Sequence, residues 1–159
     1  MFSFKKITTL LIFAMSILLV LPSCSREDPD SIAQKDREKL LKYIRDNDLE
    51  DVVIEHHSGL FYVIEEPGSG PNPDLYSLIR IKYTGMLLDG TVFDSSSGAL
   101  IQLANTIEGW RIGIPKFKVG GKGILLVPSA LGYGGFPPFG SNIPRHSSLI
   151  FEFTIIDIN

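Results

Sequence analysis

The chain has 159 residues, of which 44% are hydrophobic and 21% are charged, which suits one domain with a substantial core and argues against disorder along its whole length. Residues 1–23 hold two basic residues and no acidic ones, so the remainder carries 13 basic and 18 acidic residues, a formal charge of −5. Because a nucleic-acid-binding surface needs clustered Lys and Arg, this mildly acidic remainder predicts no nucleic-acid partner.

The amino-terminal segment, residues 1–23, has the pattern of a secretory signal peptide. Lys5 and Lys6 precede an apolar run over residues 7–21, which is shorter than the roughly 20 residues that a membrane-spanning helix needs. Cys24 follows as the only cysteine of the sequence, which excludes an intramolecular disulfide and a cysteine-based zinc site.

The segment Leu21-Pro22-Ser23-Cys24 resembles the lipobox of bacterial lipoproteins, in which the cysteine is acylated and becomes the first residue of the mature chain. The resemblance implies a lipid anchor at Cys24 and a place in the cell envelope, on the periplasmic or surface-exposed face of the outer membrane. More than one acyl chain is enough for stable anchoring. The alternative is an ordinary signal peptide followed by an incidental cysteine.

Residues 24–58 are predicted to hold the lipid anchor, a polar tether and one helix. Ser31 and Gln34 have the spacing of a capping box, and apolar residues then recur at helical spacing up to Ile44. We therefore expect a helix over residues 31–46 that packs on its own domain or acts as a spacer, in a chain that is a monomer.

His56 and His57 raise the question of a metal site. Adjacent histidines point in different directions on a strand and on a helix, and no cysteine or second histidine lies nearby at metal-ligand spacing. A solvated loop is therefore favoured, and we expect neither a metal nor a cofactor.

From residue 59 onward the sequence changes from a helical to a β pattern. Apolar residues alternate or cluster in short runs, and Asp89-Gly90 is a hairpin turn signal from which a strand returns at Thr91. The other predicted strands cover residues 60–64, 78–88, 121–127 and 148–158, and residues 100–103 form a short apolar piece. Residues 106–114 predict one or two turns of helix, so the fold class is α+β with an antiparallel sheet.

Several motifs in this region occur together in a fixed order. They are Tyr83-Thr84-Gly85, Asp89-Gly90, Phe93-Asp94-Ser95-Ser96, Gly109-Trp110 with Ile107 and Gly113, Lys118 to Lys122, Pro128 to Gly134, Ile143-Pro144, and Leu149 with Phe151. In this order and spacing, residues 59–159 resemble the complete domain of FKBP-type peptidyl-prolyl cis-trans isomerases. The resemblance implies an FKBP-like half-open antiparallel β-sheet wrapped around one short α-helix, to which this chain adds an N-terminal helix.

The resemblance also implies the site residues, which surround an apolar pocket between helix and sheet. Trp110 is expected to form the floor, and the Ile107 backbone N–H and the Tyr133 hydroxyl are expected to donate to ligand carbonyls. Asp94 is expected to accept a hydrogen bond from Tyr83 and not to act as a general base. The catalytic positions carried over are Tyr83, Phe93, Asp94, Ile107, Trp110, Tyr133 and Phe151, and the substrate-binding positions are Thr106 and Ile143.

The sequence departs from the family pattern after Ser96. Residues 97–100 lack the aromatic residue and the arginine that family members often carry there, so one wall of the pocket is missing. Phe136 or Phe139, in the apolar segment over residues 134–140, is expected to replace that wall as a substrate-binding residue.

The residue types agree with the chemistry that the resemblance implies. Rotation about an X-Pro amide breaks no bond, so it needs no nucleophile, and a twisted amide is less polar than a planar one and is favoured in an aromatic pocket. We therefore expect an isomerase that acts on proline-containing segments of exported polypeptides. A non-catalytic peptide-binding chaperone and a structural lipoprotein of a cell-envelope assembly are the alternatives.

Overall fold

The strands of this protein form one antiparallel sheet with a helix against each face. The computed structural model describes residues 28–158, so the predicted signal peptide and Cys24 lie outside the described residues. The helices are α1 (Pro29–Asp46) and α2 (Glu108–Gly113), and the strands are β1 (Val53–Glu55), β2 (Phe61–Glu66), β3 (Leu78–Leu87), β4 (Val92–Gln102), β5 (Lys122–Val127) and β6 (Leu149–Ile158).

The strand order in the sheet is β1-β2-β5-β6-β3-β4, and every neighbouring pair is antiparallel. Successive residues of a strand point to opposite faces. On β5, Leu125 and Val127 are therefore buried in one cluster with Trp110 of α2, whereas Leu126 is buried in another with Leu40 of α1. The sheet lies between the two helices, which confirms the predicted α+β fold class and the presence of an N-terminal helix.

Helix α1 begins two residues before the predicted start, so the predicted capping box is wrong. Asp28 is the N-cap, and its side chain accepts a hydrogen bond from the backbone N–H of Asp30. Pro29 is the first helical residue, a position that suits proline because its fixed φ matches the helix and no N–H is needed there. The Ser31 hydroxyl donates to the Asp28 carbonyl instead of capping the helix. The predicted end at residue 46 is confirmed.

The apolar side of α1 packs on the domain's own sheet. Leu40 and Ile44 are buried against Phe61, Leu126 and Ile150, which come from three adjacent strands. The exposed side of the helix is tied to the sheet edge, because the Arg37 guanidinium donates to both oxygens of Glu55 at 2.7 and 3.2 Å. Of the two roles expected for this helix, the structure shows packing on its own domain.

Strand β1 was not predicted. It pairs with β2 through Val53 and Val63, and it lies before residue 59, where the β pattern of the sequence begins. Three residues are too few to show a period of two, and the flanking charged residues match a loop equally well. His56 and His57 follow it in the predicted loop, and within residues 28–158 no group of three or more His, Cys, Asp or Glu could hold a metal ion.

The hairpin of β3 and β4 has the predicted turn. Gly90 has a φ of 86°, and the Leu87 N–H donates to the Thr91 carbonyl across the turn. Strand β4 continues to Gln102, so the apolar piece predicted over residues 100–103 is mostly the end of this strand. Two register shifts between β3 and β4 interrupt the pairing, which hides a long strand from a simple test of alternation.

Candidate functional site

A cavity of about 220 Å³ opens between α2 and the sheet. Its walls come from β3, β4, β6, the chain leading into α2, and the segment after β5. The lining residues are Tyr83, Asp94, Ile101, Asn105, Thr106, Ile107, Trp110, Tyr133 and Phe151. The structure thus brings together seven of the predicted site residues, which come from separate parts of the chain.

Trp110 lies at the base of the cavity and is only 4% exposed. Its ring meets Tyr83 at 5.2 Å and 89° and Phe151 at 5.3 Å and 85°, both in the edge-to-face arrangement that aromatic pairs prefer. The indole Nε1 is buried, and it has no hydrogen-bond partner among residues 28–158. Three rings therefore meet at one side of the cavity, with one unsatisfied donor beside them.

Two glycines bring Trp110 to this position. A Cβ atom on Gly109 would lie 2.5 Å from Cγ1 of Val127, and one on Gly113 would lie 2.6 Å from Cδ2 of Leu125. Because both distances are shorter than any ordinary contact, only glycine lets α2 lie directly on β5. The glycines on each side of Trp110 in the sequence are thus required for close packing of helix on sheet.

Phe93 supports the aromatic wall from outside the cavity. Its ring packs edge-to-face on Phe151 at 5.6 Å, but it is not among the residues that line the cavity. A Cβ atom on Gly85 would lie 2.8 Å from the Phe93 ring and 3.0 Å from the Phe151 ring. The glycine of the Tyr83-Thr84-Gly85 motif therefore leaves the space in which these two rings meet.

Asp94 is the acidic group of the cavity. The Tyr83 hydroxyl donates to its Oδ2 at 2.6 Å, which is the hydrogen bond expected from the sequence. Burial and this hydrogen bond raise the pKa of Tyr83 well above its usual value, and burial followed by the Asp94 charge raises the pKa of Tyr133. The ionisation of both phenols is therefore displaced to higher pH, and the Tyr133 hydroxyl is the phenolic donor that is left for a ligand.

The segment before α2 presents a backbone donor. Ile107 is the N-cap of the helix, and its carbonyl accepts hydrogen bonds from the N–H groups of Trp110 and Arg111. Its own N–H donates to no acceptor within residues 28–158. The Thr106 hydroxyl donates to the Leu103 carbonyl at 2.7 Å, which fixes the chain just before this N–H.

Two residues of the cavity, Ile101 and Asn105, were not predicted. Ile101 belongs to the last part of β4, and Asn105 ends the short 3-10 helix over Leu103–Asn105. None of residues 97–100 lines the cavity, so Ile101 is the residue by which the second half of β4 contributes to it. A prediction that β4 continued past residue 100 would have placed Ile101 on the inner face with Ala99.

Phe136 and Phe139 do not replace the missing wall, which corrects that expectation. Both side chains are fully exposed and neither lines the cavity. Their loop is closed by its own hydrogen bonds, from the Phe136 N–H to the Tyr133 carbonyl and from the His146 N–H to the Gly134 carbonyl. The Arg145 guanidinium lies 5.9 Å from the Phe136 ring.

Ile143 also lies outside the cavity lining. It is buried in the same core cluster as Trp110 and Phe151, so it contacts the site through packing. The sequence pattern therefore identified a buried residue here, but Ile143 is not among the residues that line the cavity.

Known proteins with similar sequences belong to the family that the motifs of the cavity resemble. The family model of the FKBP-type peptidyl-prolyl cis-trans isomerases matches residues 70–156. A probable FKBP-type peptidyl-prolyl cis-trans isomerase of Haemophilus influenzae is 34% identical over 148 residues, covering 91% of this chain and 61% of the relative.

Two solved structures share the fold. A peptidyl-prolyl cis-trans isomerase from Pseudomonas syringae superposes with a TM-score of 0.72 at 26% identity, covering 83% of this chain and 96% of that one. FkpA from Escherichia coli superposes with a TM-score of 0.71 at 29% identity, covering 99% of this chain and 74% of that one. The chain spans about half to three-fifths of the length of curated relatives that match most of it. On the family match and on the site that carries its motifs, the chain belongs to the FKBP-type peptidyl-prolyl cis-trans isomerase family.

Proposed function

We propose that this protein is a peptidyl-prolyl cis-trans isomerase that accelerates rotation about X-Pro bonds in exported polypeptides. The observation that carries the proposal is the cavity itself, in which Trp110, Tyr83 and Phe151 meet edge-to-face beside the Tyr83–Asp94 hydrogen bond. We propose residues 59–159 as the isomerase domain, to which α1 and β1 are additions.

The aromatic rings supply the main catalytic effect in this proposal. Rotation about the amide has a barrier of about 18–20 kcal/mol because the planar form is stabilised by resonance. The twisted amide has lost that resonance and is less polar, so an apolar cavity favours it over the planar ground state. The proline ring packs against Trp110 and Phe151, and no covalent step is required.

The hydrogen-bond donors hold the peptide on each side of the rotating bond. The Ile107 N–H, which has no acceptor within residues 28–158, and the Tyr133 hydroxyl donate to carbonyls of the substrate. Asp94 keeps the Tyr83 ring in its wall by accepting a hydrogen bond from the Tyr83 hydroxyl. We assign Asp94 a positioning role and no proton transfer.

The test is an isomerisation assay with the full chain, purified in detergent, on a peptide that contains one X-Pro bond. We expect the double variant Trp110→Ala, Asp94→Val to lower kcat/KM by at least about 100-fold, which corresponds to roughly 2.7 kcal/mol. Tyr76→Ala is the matched control, because it removes an exposed aromatic side chain that does not line the cavity and should leave the rate unchanged. A wild-type rate no higher than that of the double variant would contradict the proposal.

A second candidate function is binding of unfolded polypeptide without catalysis. The observation in its favour is the exposure of Phe136 and Phe139, since large apolar side chains in solvent mark binding surfaces. The full chain carrying Trp110→Ala and Asp94→Val would then still suppress aggregation of an unfolded client. Phe136→Ser with Phe139→Ser should abolish that suppression, and wild type should show no isomerase activity if this candidate alone is correct.

We also propose that Cys24 is lipid-modified and holds the protein as a monomer in the cell envelope. The support is the lipobox-like sequence, together with the burial of the apolar side of α1 on its own sheet, which leaves that side unavailable for a partner. Within residues 28–158, no helix is long and apolar enough to cross a membrane. Mass spectrometry of the mature amino-terminal peptide tests the anchor, with Cys24→Ala as the control that should lose the acyl mass and the membrane fraction.

A further inference from the structure

A buried carboxylate of helix α1, that of Asp36, contacts the segment that leads to Tyr133 of the cavity. We propose that Asp36 is a positioning residue for the isomerase reaction, because it fixes the segment that carries Tyr133. The helix lies outside the region matched by the family model, so this would make an added element part of the working site. The inference rests on the proposed function, in which Tyr133 binds the substrate.

The burial of Asp36 calls for a compensating partner. The residue is only 1% exposed, and its Oδ2 accepts a hydrogen bond of 2.8 Å from the backbone N–H of Ser129, which lies 93 positions away in the chain. A buried carboxylate is costly unless it accepts hydrogen bonds, and bonds of this charge-assisted kind are among the strongest in proteins. This contact therefore fixes α1 and Ser129 relative to each other.

Ser129 in turn determines the position of Tyr133. It begins the 3-10 helix over Ser129–Leu131, and its carbonyl accepts hydrogen bonds from the N–H groups of Gly132 at 3.0 Å and Gly134 at 2.8 Å. Tyr133 lies between these two glycines, with its side chain in the cavity wall. Ser129 therefore donates a hydrogen bond to Asp36 through its N–H, and its carbonyl accepts hydrogen bonds from both neighbours of Tyr133.

Loss of the Asp36 contact should therefore move the Tyr133 hydroxyl. Shifts of about 1 Å in a group that orients the substrate can cost a large factor in rate even when the group itself is intact. A purely structural role would instead lower the stability of α1 and leave the reaction of the folded protein unchanged. The two roles are separated by measuring both stability and kinetics.

The substitutions are Asp36→Ala, which removes the acceptor, and Asp36→Asn, whose amide oxygen can still accept from the Ser129 N–H. We expect Asp36→Ala to lower kcat/KM about tenfold, or roughly 1.4 kcal/mol, and Asp36→Asn to restore most of it. Ile44→Ala is the matched control: it removes a buried contact of the same helix but touches neither Ser129 nor the cavity. It should lower the melting temperature with little change in kcat/KM.

A double-mutant cycle with Tyr133→Phe tests whether Asp36 acts through Tyr133. If it does, the combined loss in kcat/KM is smaller than the product of the two single losses. Independent losses that multiply, or an unchanged kcat/KM in folded Asp36→Ala, would overturn the inference. Should Asp36→Ala fold too poorly to assay, Asp36→Glu keeps the charge but displaces the oxygens, and a similar loss of rate is expected.

Amide hydrogen exchange of the full chain provides a measurement that does not depend on catalysis. The N–H groups of Gly132 and Gly134 should exchange faster in Asp36→Ala than in wild type, and Ile44→Ala should not single them out. Equal protection in both variants would overturn the proposed connection. An inactive wild type with the predicted exchange pattern would contradict the proposed function and leave the connection between α1 and this segment supported.

Discussion

The two faces of the sheet are packed in different ways. On the α1 side, an 18-residue helix covers the sheet with aliphatic side chains, and Leu40 is completely buried. On the α2 side, a six-residue helix sits on β5 through two glycines, and the surrounding rings meet edge-to-face. On the α2 side, the rings line the cavity of about 220 Å³. Both faces therefore bury apolar side chains, and the α2 face also carries the aromatic cavity that we propose as the substrate site.

The largest expected effect is on stability, and it comes from a cavity made between α1 and the sheet. Leu40→Ala should lower the free energy of unfolding by about 2–5 kcal/mol, because the buried site loses its apolar contacts and can collapse only partly. The kcat/KM of the folded protein should stay within about twofold, since Leu40 does not reach the cavity. Urea unfolding and an isomerisation assay below the transition measure the two quantities.

Leu41→Ala serves as the control for this prediction, because Leu41 is only partly buried in the same cluster. It should cost clearly less than Leu40→Ala. If Leu40→Ala reduced kcat/KM in proportion to its loss of stability, packing under α1 would affect the cavity on the other face of the sheet, which contradicts this prediction.

A smaller effect is expected where α2 contacts β5. Gly109→Ala would place a methyl group 2.5 Å from Val127, whose branched side chain is fully buried and has little freedom to move. Such overpacking costs about 1–3 kcal/mol, partly offset by the higher helix propensity of alanine. Because the helix carries Trp110, we also expect kcat/KM to fall several-fold.

Two further variants separate crowding from other effects of this substitution. Gly98→Ala should be neutral, since its nearest heavy atom would be Cδ1 of Ile156 at an ordinary 3.8 Å. Val127→Ala in the Gly109→Ala background should restore part of the rate by making room for the added methyl group. Equal effects of Gly98→Ala and Gly109→Ala would contradict the explanation by close packing.

The free energy of unfolding should also decrease at alkaline pH because of Tyr83 in the cavity. Burial and the Asp94 hydrogen bond raise the pKa of Tyr83 above its unfolded value near 10. The folded state thus prefers the protonated phenol, so this contribution to stability is complete below about pH 10 and is lost progressively above it. Stability measured by urea unfolding should fall with pH above 10, and Tyr83→Phe should make that fall less steep.

Absorbance titration of tyrosine gives an independent check. Tyr83 and Tyr133 should ionise later in the folded chain than in the same chain unfolded in urea, because burial raises the pKa of both. Tyr83→Phe should remove part of the late absorbance change. Complete ionisation of the folded wild type near pH 10 would show that the Tyr83–Asp94 hydrogen bond does not form in solution.

Sequence patterns predicted the strands and turns of the fold better than the residues of the cavity. Within β6, the buried residues Phe151, Phe153 and Ile155 alternate with more exposed residues. Asp89-Gly90 is a sequence typical of hairpin turns, and Gly90 has the positive φ that such a turn requires. The aromatic residues of the cavity were predicted from the family motifs. Hydrophobic periodicity alone does not distinguish an aromatic residue in the core from one in a pocket.

The features that were missed depend on contacts between distant segments. Strand β1 pairs along the edge of β2, and Ile101 lies beyond a register shift in the pairing of β4 with β3. Phe136 and Phe139 match any apolar site by type, but both side chains are exposed and neither lines the cavity. Neither the register nor the exposure of these side chains could be inferred from residue type alone.

The smallest expected effect concerns the exposed ion pair between α1 and β1. Arg37 and Glu55 form a bidentate pair, but both side chains are about half exposed, so solvent screening limits their interaction to about 0.2–1 kcal/mol. A double-mutant cycle of Arg37→Ala and Glu55→Ala, measured by urea unfolding, should give a coupling energy in that range that shrinks at high salt. Arg37→Ala should cost slightly more than Glu55→Ala, because the guanidinium also lies 5.6 Å from the Phe61 ring. A coupling comparable to the loss caused by Leu40→Ala would mean that α1 is held by charge more than by its aliphatic contacts.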